Sequence, residues 1–342
     1  MPGSDVGVLK RLLALAAGFP RASLAVHQSD ETRLRAEVAT LEAKADLIVV
    51  PDGVELWTWV QDRFVVCRHP GGSGNWIVDS GLDESDGTAA AAARADARLE
   101  RASAGLPIDG GNILADEETC FVGGDLCGDD MDKFKWHFSG AVEGRRSIQV
   151  VACDTPIPRR GPERFEIAPG DLTWRQDIDR CIAVDGARQP AFHLDLFMTL
   201  IGRRRVLLGD PAWASKITGI ALPDGYPLRA FAEIDKVLRC SGFEVIRNPL
   251  PFVYFDEPQA RIREWFYASA NNCWVECLDG PGSRAWLPEY GFGAWPELKA
   301  TDAINAAIWR DLGFEVVRCG DFLPLADRLG SLNCVSKVLA RG

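Results

Sequence analysis

The chain has 342 residues, 49 acidic against 38 basic, a net charge of −11, and 47% hydrophobic residues. It can bury a large core, and its charge excludes a nucleic-acid partner, because phosphate binding needs clustered Lys and Arg. No segment approaches the run of about 18 apolar residues that spans a bilayer, so no membrane partner is expected, and an acidic protein suits a cationic substrate.

In chain order, "VLKRLLALAAGF" (8–19) places basic residues before a short apolar run, as a signal peptide does. Pro20 and Arg21 precede any small-residue cleavage site, so residues 1–25 read as a helical extension instead. "ADLIVV" (45–50) and "LWTWVQDRFVVCR" (56–68) read as strands, and the Ala-rich 88–102 as a helix. "GGNILADEETCFVG" (110–123) and "MTLIGRRRVLLGD" (198–210) read as hairpins with polar turns. Residues 154–180, rich in Pro, Arg and Asp, read as a surface excursion, and "YASANNCWVECLD" (267–279) as a strand.

Two segments repeat. "LRAFAEIDKVLRCSGFEVIRNPLP" (228–251) and "TDAINAAIWRDLGFEVVRCGDFLP" (301–324) each predict a helix, then a near-identical strand, "GFEVIR" or "GFEVVR", 71 residues apart. Leu228, Phe231, Ile234 and Leu238 share one helical face, and Ile304, Ile308 and Leu312 another; Gly242 and Gly313 end the helices. Such recurrence predicts a closed repeat architecture. No linker divides the chain, which reads as one domain over 1–342.

Ten cysteines include no Cys-x-x-Cys pair and none with a histidine at zinc-finger spacing. Several lie in apolar strand-like runs, the usage of a reduced, cytoplasmic protein. Cys334 differs: it sits in a short apolar, strand-like segment, "GSLNCVSKVL" (330–339), near the chain end, where residues are usually spare.

Of four histidines, His27, His69 and His137 have no partner suggested by their neighbours. "AFHLDLFMTLI" (191–201) sets His193 and Asp195 two apart, on one face if the run is a strand. A satisfied core pair and a functional pair are both consistent with that spacing. Asp62 lies in an aromatic run, and Asp109 precedes two glycines that would let the backbone turn or approach closely. The loop "FVGGDLCGDDMD" (121–132) lacks EF-hand spacing, and "GGSGN" (71–75) lacks the Gly-Lys-Ser/Thr of a phosphate loop.

A Cys, a His and several acids can together attack a guanidinium. Its carbon is a poor electrophile, since the charge is spread over three nitrogens. Two carboxylates gripping those nitrogens orient the group, and the cation favours the thiolate. A His protonates departing ammonia and then deprotonates water. No metal or organic cofactor is required.

At these residues the chain resembles the guanidino-modifying enzymes of the pentein (α/β-propeller) superfamily over roughly residues 45–340, most closely the catalytic domain of protein-arginine deiminases. "WVQDRF" is similar to their Trp-Ile-Gln-Asp strand, and "HLDLF" with "RRVLLGDP" to their His-Val-Asp strand and following hairpin. "IDGGNIL" resembles the matching motif of agmatine and arginine deiminases and dimethylargininase; "YASANNCWVE" resembles a strand that brings an Asn, here Asn272, near substrate. "GSLNCVS" is similar to the ending Gly-x-x-His-Cys-x-Thr, with Asn333 for His and Ser336 for Thr, neither of them expected to be central.

The resemblance implies five ββαβ-like blades around a central active-site channel, completed by a last strand that carries Cys334. It implies Cys334 as nucleophile, His193 as general acid and base, Asp109 orienting the His, and Asp62 and Asp195 binding the guanidinium. The implied activity is deimination of arginine or peptidyl-arginine to citrulline and ammonia through a thiouronium. Alternatives are deimination of a small guanidine such as agmatine or methylarginine, amidino transfer to an amine, or a non-catalytic binding module. No cofactor is implied: Gln61 is kept, but Val65 stands where animal protein-arginine deiminases use a Glu for calcium.

Overall fold

The computed structural model describes residues 3–16, 22–40, 45–68, 74–82, 87–94, 96–128, 131–141, 147–158, 163–167, 172–182, 185–277 and 282–339. His69, residues 71–73 and parts of the 154–180 and 121–132 segments lie outside the described residues. The chain forms two compact units: Met1–Gly110 with Lys135–Arg145 and Cys334–Gly342, and Gly111–Phe134 with Arg146–Asn333.

The first unit opens with the helix Gly3–Ala16, shorter than the helical extension expected over 1–25, because Ala22–His27 is a strand. The strands Ala22–His27 and Ala45–Val50 then pair in parallel, linked through the helix Glu31–Ala39. A ββαβ module follows. Strand Phe64–Arg68 runs antiparallel to Asn75–Asp79, which pairs in parallel with Leu99–Ser103 after the helix Thr88–Arg94. The helix expected over 88–102 therefore ends early, because the Asp96 carboxylate accepts from the Arg98 N–H at 2.9 Å and turns the chain into a third strand. Phe64, Ile77, Ala89 and Leu99 form this module's core, with Leu339 packed against it from the chain end. The Leu339 carbonyl also accepts from Asn75 Nδ2 at 3.2 Å.

The second unit repeats the module's strand pattern three times. Ile113–Ala115, Thr119–Gly123 and Ser147–Val151 make the first; Met198–Leu200, Arg205–Asp210 and Glu244–Pro249 the second; Trp274–Glu276, Arg284–Glu289 and Glu315–Asp321 the third. In each, an antiparallel hairpin is followed by a parallel strand, which requires a crossover, here helical. Both predicted hairpins form. The first closes with Asp116 Oδ1 accepting from the N–H groups of Glu118 and Thr119.

The sequence repeat is structural: its two strands are the third strands of the last two modules, each preceded by a helix, Leu228–Cys240 or Leu298–Asp311. The first helix buries Ala230, Phe231, Ile234 and Leu238, while Leu228, expected on that face, is 40% exposed. Burying each large apolar side chain contributes roughly 1.5–3 kcal/mol. The second helix differs more. Its buried face carries Thr301, Asp302, Asn305, Ala306 and Trp309, and Ile304, Ile308 and Leu312 are only half-buried. Apolar periodicity missed this because the helix turns hydrogen-bonding groups inward.

A separate four-stranded sheet runs Phe252–Glu257, Ile262–Tyr267, Trp174–Asp177, Glu163–Phe165. It corrects the reading of 154–180 as an excursion: Trp174–Asp177 pairs with Ile262–Tyr267, and Arg263 stacks 3.6 Å over Tyr254 while pairing with Asp256 at 2.7 Å. The strand expected over 267–279 is likewise broken, ending at Tyr267 and resuming at Trp274–Glu276. No helix among the described residues is long and apolar enough to cross a membrane.

Candidate active site

The expected strands around Asp62, His193 and Cys334 are turns. Asp62 lies in the 3-10 turn Val60–Arg63, Asp195 in Leu194–Leu196 directly after His193, and Cys334 in a turn over 332–335. Short apolar-polar alternation is common to strands and tight turns, so the pattern did not separate them. The placement is nevertheless regular. Asp62 precedes strand Phe64–Arg68, Asp109 precedes Ile113–Ala115, His193 and Asp195 precede Met198–Leu200, and Asn272 precedes Trp274–Glu276. Each therefore occupies the entry to a ββαβ module, where a rigid scaffold presents an irregular segment.

In the first unit, Gln61 ties three of these segments together. Its main-chain N–H donates to the Cys334 carbonyl at 3.1 Å, and its Nε2 donates to the Gly110 carbonyl at 3.2 Å. Lys337 Nζ donates to the Gln61 carbonyl at 3.2 Å. Asp62, Asp109 and Cys334 are thus each next in sequence to, or part of, one hydrogen-bonded junction. Gly110 is required there, because any Cβ would run into the Gln61 carbonyl oxygen. Cys334 is 2% exposed and Asp62 and Asp109 are half-buried. Beside Asp62, the Arg63 guanidinium stacks 3.8 Å over Trp57.

The second unit gathers His193, Asp195 and Asn272. His193 is 7% exposed, Asp195 1% and Asn272 0%. Phe192, edge-on to the His193 ring at 4.3 Å, is pinned through its backbone: its N–H donates to Cys181 at 2.7 Å, and its carbonyl accepts from Asn112 Nδ2 at 2.8 Å. Asn112, three residues after Asp109, receives a 2.7 Å hydrogen bond from Gln189. Asn333 joins the other two acceptors. Its Nδ2 donates to Asp195 Oδ2 at 2.8 Å and its N–H to Asn272 Oδ1 at 2.9 Å.

A buried polar network supports that turn. Asn248 Nδ2 donates to Asn271 at 2.9 Å and to Asn305 at 2.8 Å, and Asn305 Nδ2 donates to the Pro249 carbonyl. Thr199 Oγ1 donates to the Asn271 carbonyl, and the Tyr290 hydroxyl bridges the Ser269 carbonyl at 2.8 Å and Ser331 Oγ at 2.7 Å. Satisfied networks of this kind give one fixed arrangement.

Sequence reasoning set Asn333 aside, yet it binds two of the predicted site residues. Asn112, Gln189 and Asn305 also escaped notice; the only available signal was polar residues inside apolar runs. Two of the remaining histidines agree with a surface or structural reading: His27 Nε2 bonds the Val54 carbonyl at 2.9 Å, and His137 is exposed beside Trp136. None of the ten cysteines is in a disulfide. Burial pushes the thiols of Cys153 up to about 11 and of Cys181 and Cys319 up to about 12, and raises Cys273 as well, which suits packing rather than nucleophilic roles.

The residues do not fit the calcium site of animal protein-arginine deiminases. Val65 is apolar, 6% exposed and paired in a strand, so it offers no oxygen where those enzymes use a Glu.

No protein-family model matches the sequence, and no curated protein matches it. Solved structures do. The agmatine deiminase of C. jejuni superimposes with a TM-score of 0.62 at 13% identity, covering 97% of this chain and 85% of that one. The agmatine deiminase of Enterococcus faecalis gives 0.63 at 12% identity, covering 97% and 87%. The chain therefore has the fold of these agmatine deiminases.

Proposed function

We propose that the chain is a hydrolase that deiminates a guanidino group through a covalent intermediate on Cys334. The observation that carries this reading is the hydrogen bond from Asn333 to the buried Asp195, because Asn333 is joined by one peptide bond to Cys334. Consecutive Cα atoms are about 3.8 Å apart, so the thiol-bearing residue directly follows the partner of the buried carboxyl group that this reading assigns to the guanidinium. We read the four ββαβ modules and the parallel βαβ pair as the five blades of one catalytic domain. We place the protein in a reduced, cytoplasmic setting on its cysteine usage, several cysteines lying in apolar strand-like runs.

In this mechanism Asp62 and Asp195 hold the guanidinium nitrogens, with Asn272 lining the substrate. The Cys334 thiolate adds to the guanidinium carbon, and the C–N bond to one terminal nitrogen breaks as His193 protonates it, releasing ammonia. The thiouronium left on sulfur is attacked by a water that gives its proton to His193. The C–S bond then breaks as the new hydroxyl gives its proton to solvent, restoring the thiolate and releasing the neutral ureido product. Asp109 orients His193. These side chains and one water account for the protons and electron pairs, with no cofactor.

The fold shared with agmatine deiminases supports a small guanidine as substrate, and free and peptidyl arginine are tested beside it. The test incubates the protein with agmatine, arginine, benzoyl-arginine ester and dimethylarginine, with and without calcium, and assays ureido product and ammonia. Product from at least one, without calcium, is the expected result. Amidine transfer to glycine or lysine without hydrolysis would make the protein an amidinotransferase. No reaction of either kind would leave a binding module.

A further inference from the structure

Asp195 is 1% exposed, in a turn between Leu194 at 0% and Leu196 at 4%. A carboxylate at that depth needs donors to stay ionised and aimed. Asn333 provides one at 2.8 Å from Oδ2, a hydrogen bond strengthened by the acceptor's charge. The amide is neutral, so it orients the carboxylate without cancelling the charge that a cation needs. The backbone N–H of the same residue holds Asn272 Oδ1 at 2.9 Å, a contact independent of the side chain. Asn333 is itself braced, since Ser331 two residues earlier bonds the buried Tyr290 hydroxyl. Resting on the deiminase reading, we propose that Asn333 is a positioning residue that holds Asp195 in register for the substrate's guanidinium.

The test compares wild type with Asn333→Leu, which removes the donor at similar size, and Asn333→His, which restores an N–H. The substrate is the best guanidine of the panel above, and the matching neutral ureido product serves as inhibitor. The Leu variant is expected to raise KM on the order of 10- to 100-fold, the loss of one charge-assisted hydrogen bond, with kcat changed less. The Ki for the ureido product is expected to move by about twofold or less, because a neutral ligand draws less on an oriented carboxylate. The His variant is expected to recover most of the lost KM. A purely structural role would lower thermal stability and weaken cation and neutral ligand alike, without rescue. A Leu variant with wild-type KM, or one that weakens both ligands equally, overturns the inference and leaves the deiminase reading standing. Wild-type protein that turns over no guanidine removes both.

Discussion

The Gln61 side chain donates to the Gly110 carbonyl at 3.2 Å while its own backbone N–H donates to the Cys334 carbonyl at 3.1 Å. One glutamine between Val60 and Asp62 thus fixes the backbone beside an acid, beside an Asp-Gly-Gly turn and at the candidate nucleophile. Each of these contacts runs through main-chain atoms, so the geometry depends on backbone fit as much as on side-chain chemistry.

Gly110→Ala is expected to disrupt this junction. The new Cβ meets the Gln61 carbonyl and approaches Lys337 Nζ, and neither the backbone nor the ammonium, itself bonded to that carbonyl, can yield freely. Overpacking of this kind is destabilising by about 1–3 kcal/mol, measurable by urea denaturation. Activity should fall further than stability, because Asp62, Asp109 and Cys334 all adjoin the displaced backbone.

Tyr290→Phe is expected to destabilise the second unit by about 1–3 kcal/mol, since it removes a partner from the buried Ser269 carbonyl and Ser331 hydroxyl. The substitution leaves the ring, so packing loss is small. Ser331→Ala combined with Tyr290→Phe should then be less harmful than the sum of the two single changes, and a double-mutant cycle reads that coupling.

Asp302 predicts a pH dependence of stability. Burial pushes its carboxyl from the ordinary 3.8 up to about 6, opposed by the N–H groups of Gly291 and Tyr290 that donate to its Oδ2. A carboxyl with a higher pKa folded than unfolded binds its proton more tightly in the native state. Its contribution is therefore fully present below about pH 4 and is lost as pH rises through about 6. Asp302→Asn keeps an oxygen for both N–H groups and carries no charge. Its stability at pH 7 should match or exceed wild type, on the order of 1–2 kcal/mol, and the slope between pH 4 and 6 should flatten in denaturation series. A variant much less stable at pH 7 would contradict this account.

The scaffold was legible where turn chemistry and repetition are local. The hairpins around Asp116 and around Gly202 to Arg204, and the twin strands after Gly242 and Gly313, fold as their residues predict. The site residues were legible by type and order but not by local structure. Asp62 and Asp195 sit in apolar stretches whose alternation suits a strand, yet both lie in 3-10 turns that feed one. Asn333 was set aside and Asn305 overlooked because their value lies in partners 138 and 57 residues away, Asp195 and Asn248, which no local pattern reveals.

The central claim is that Cys334 carries the substrate's amidino carbon during turnover. Acid-quenching the wild-type protein during reaction with its guanidine substrate and measuring the intact and peptide masses tests this directly. The account predicts an adduct of substrate minus ammonia on the peptide containing Cys334, absent from Cys334→Ser protein, which should also lose turnover. Full activity in Cys334→Ser, or an adduct on a different cysteine, would contradict it.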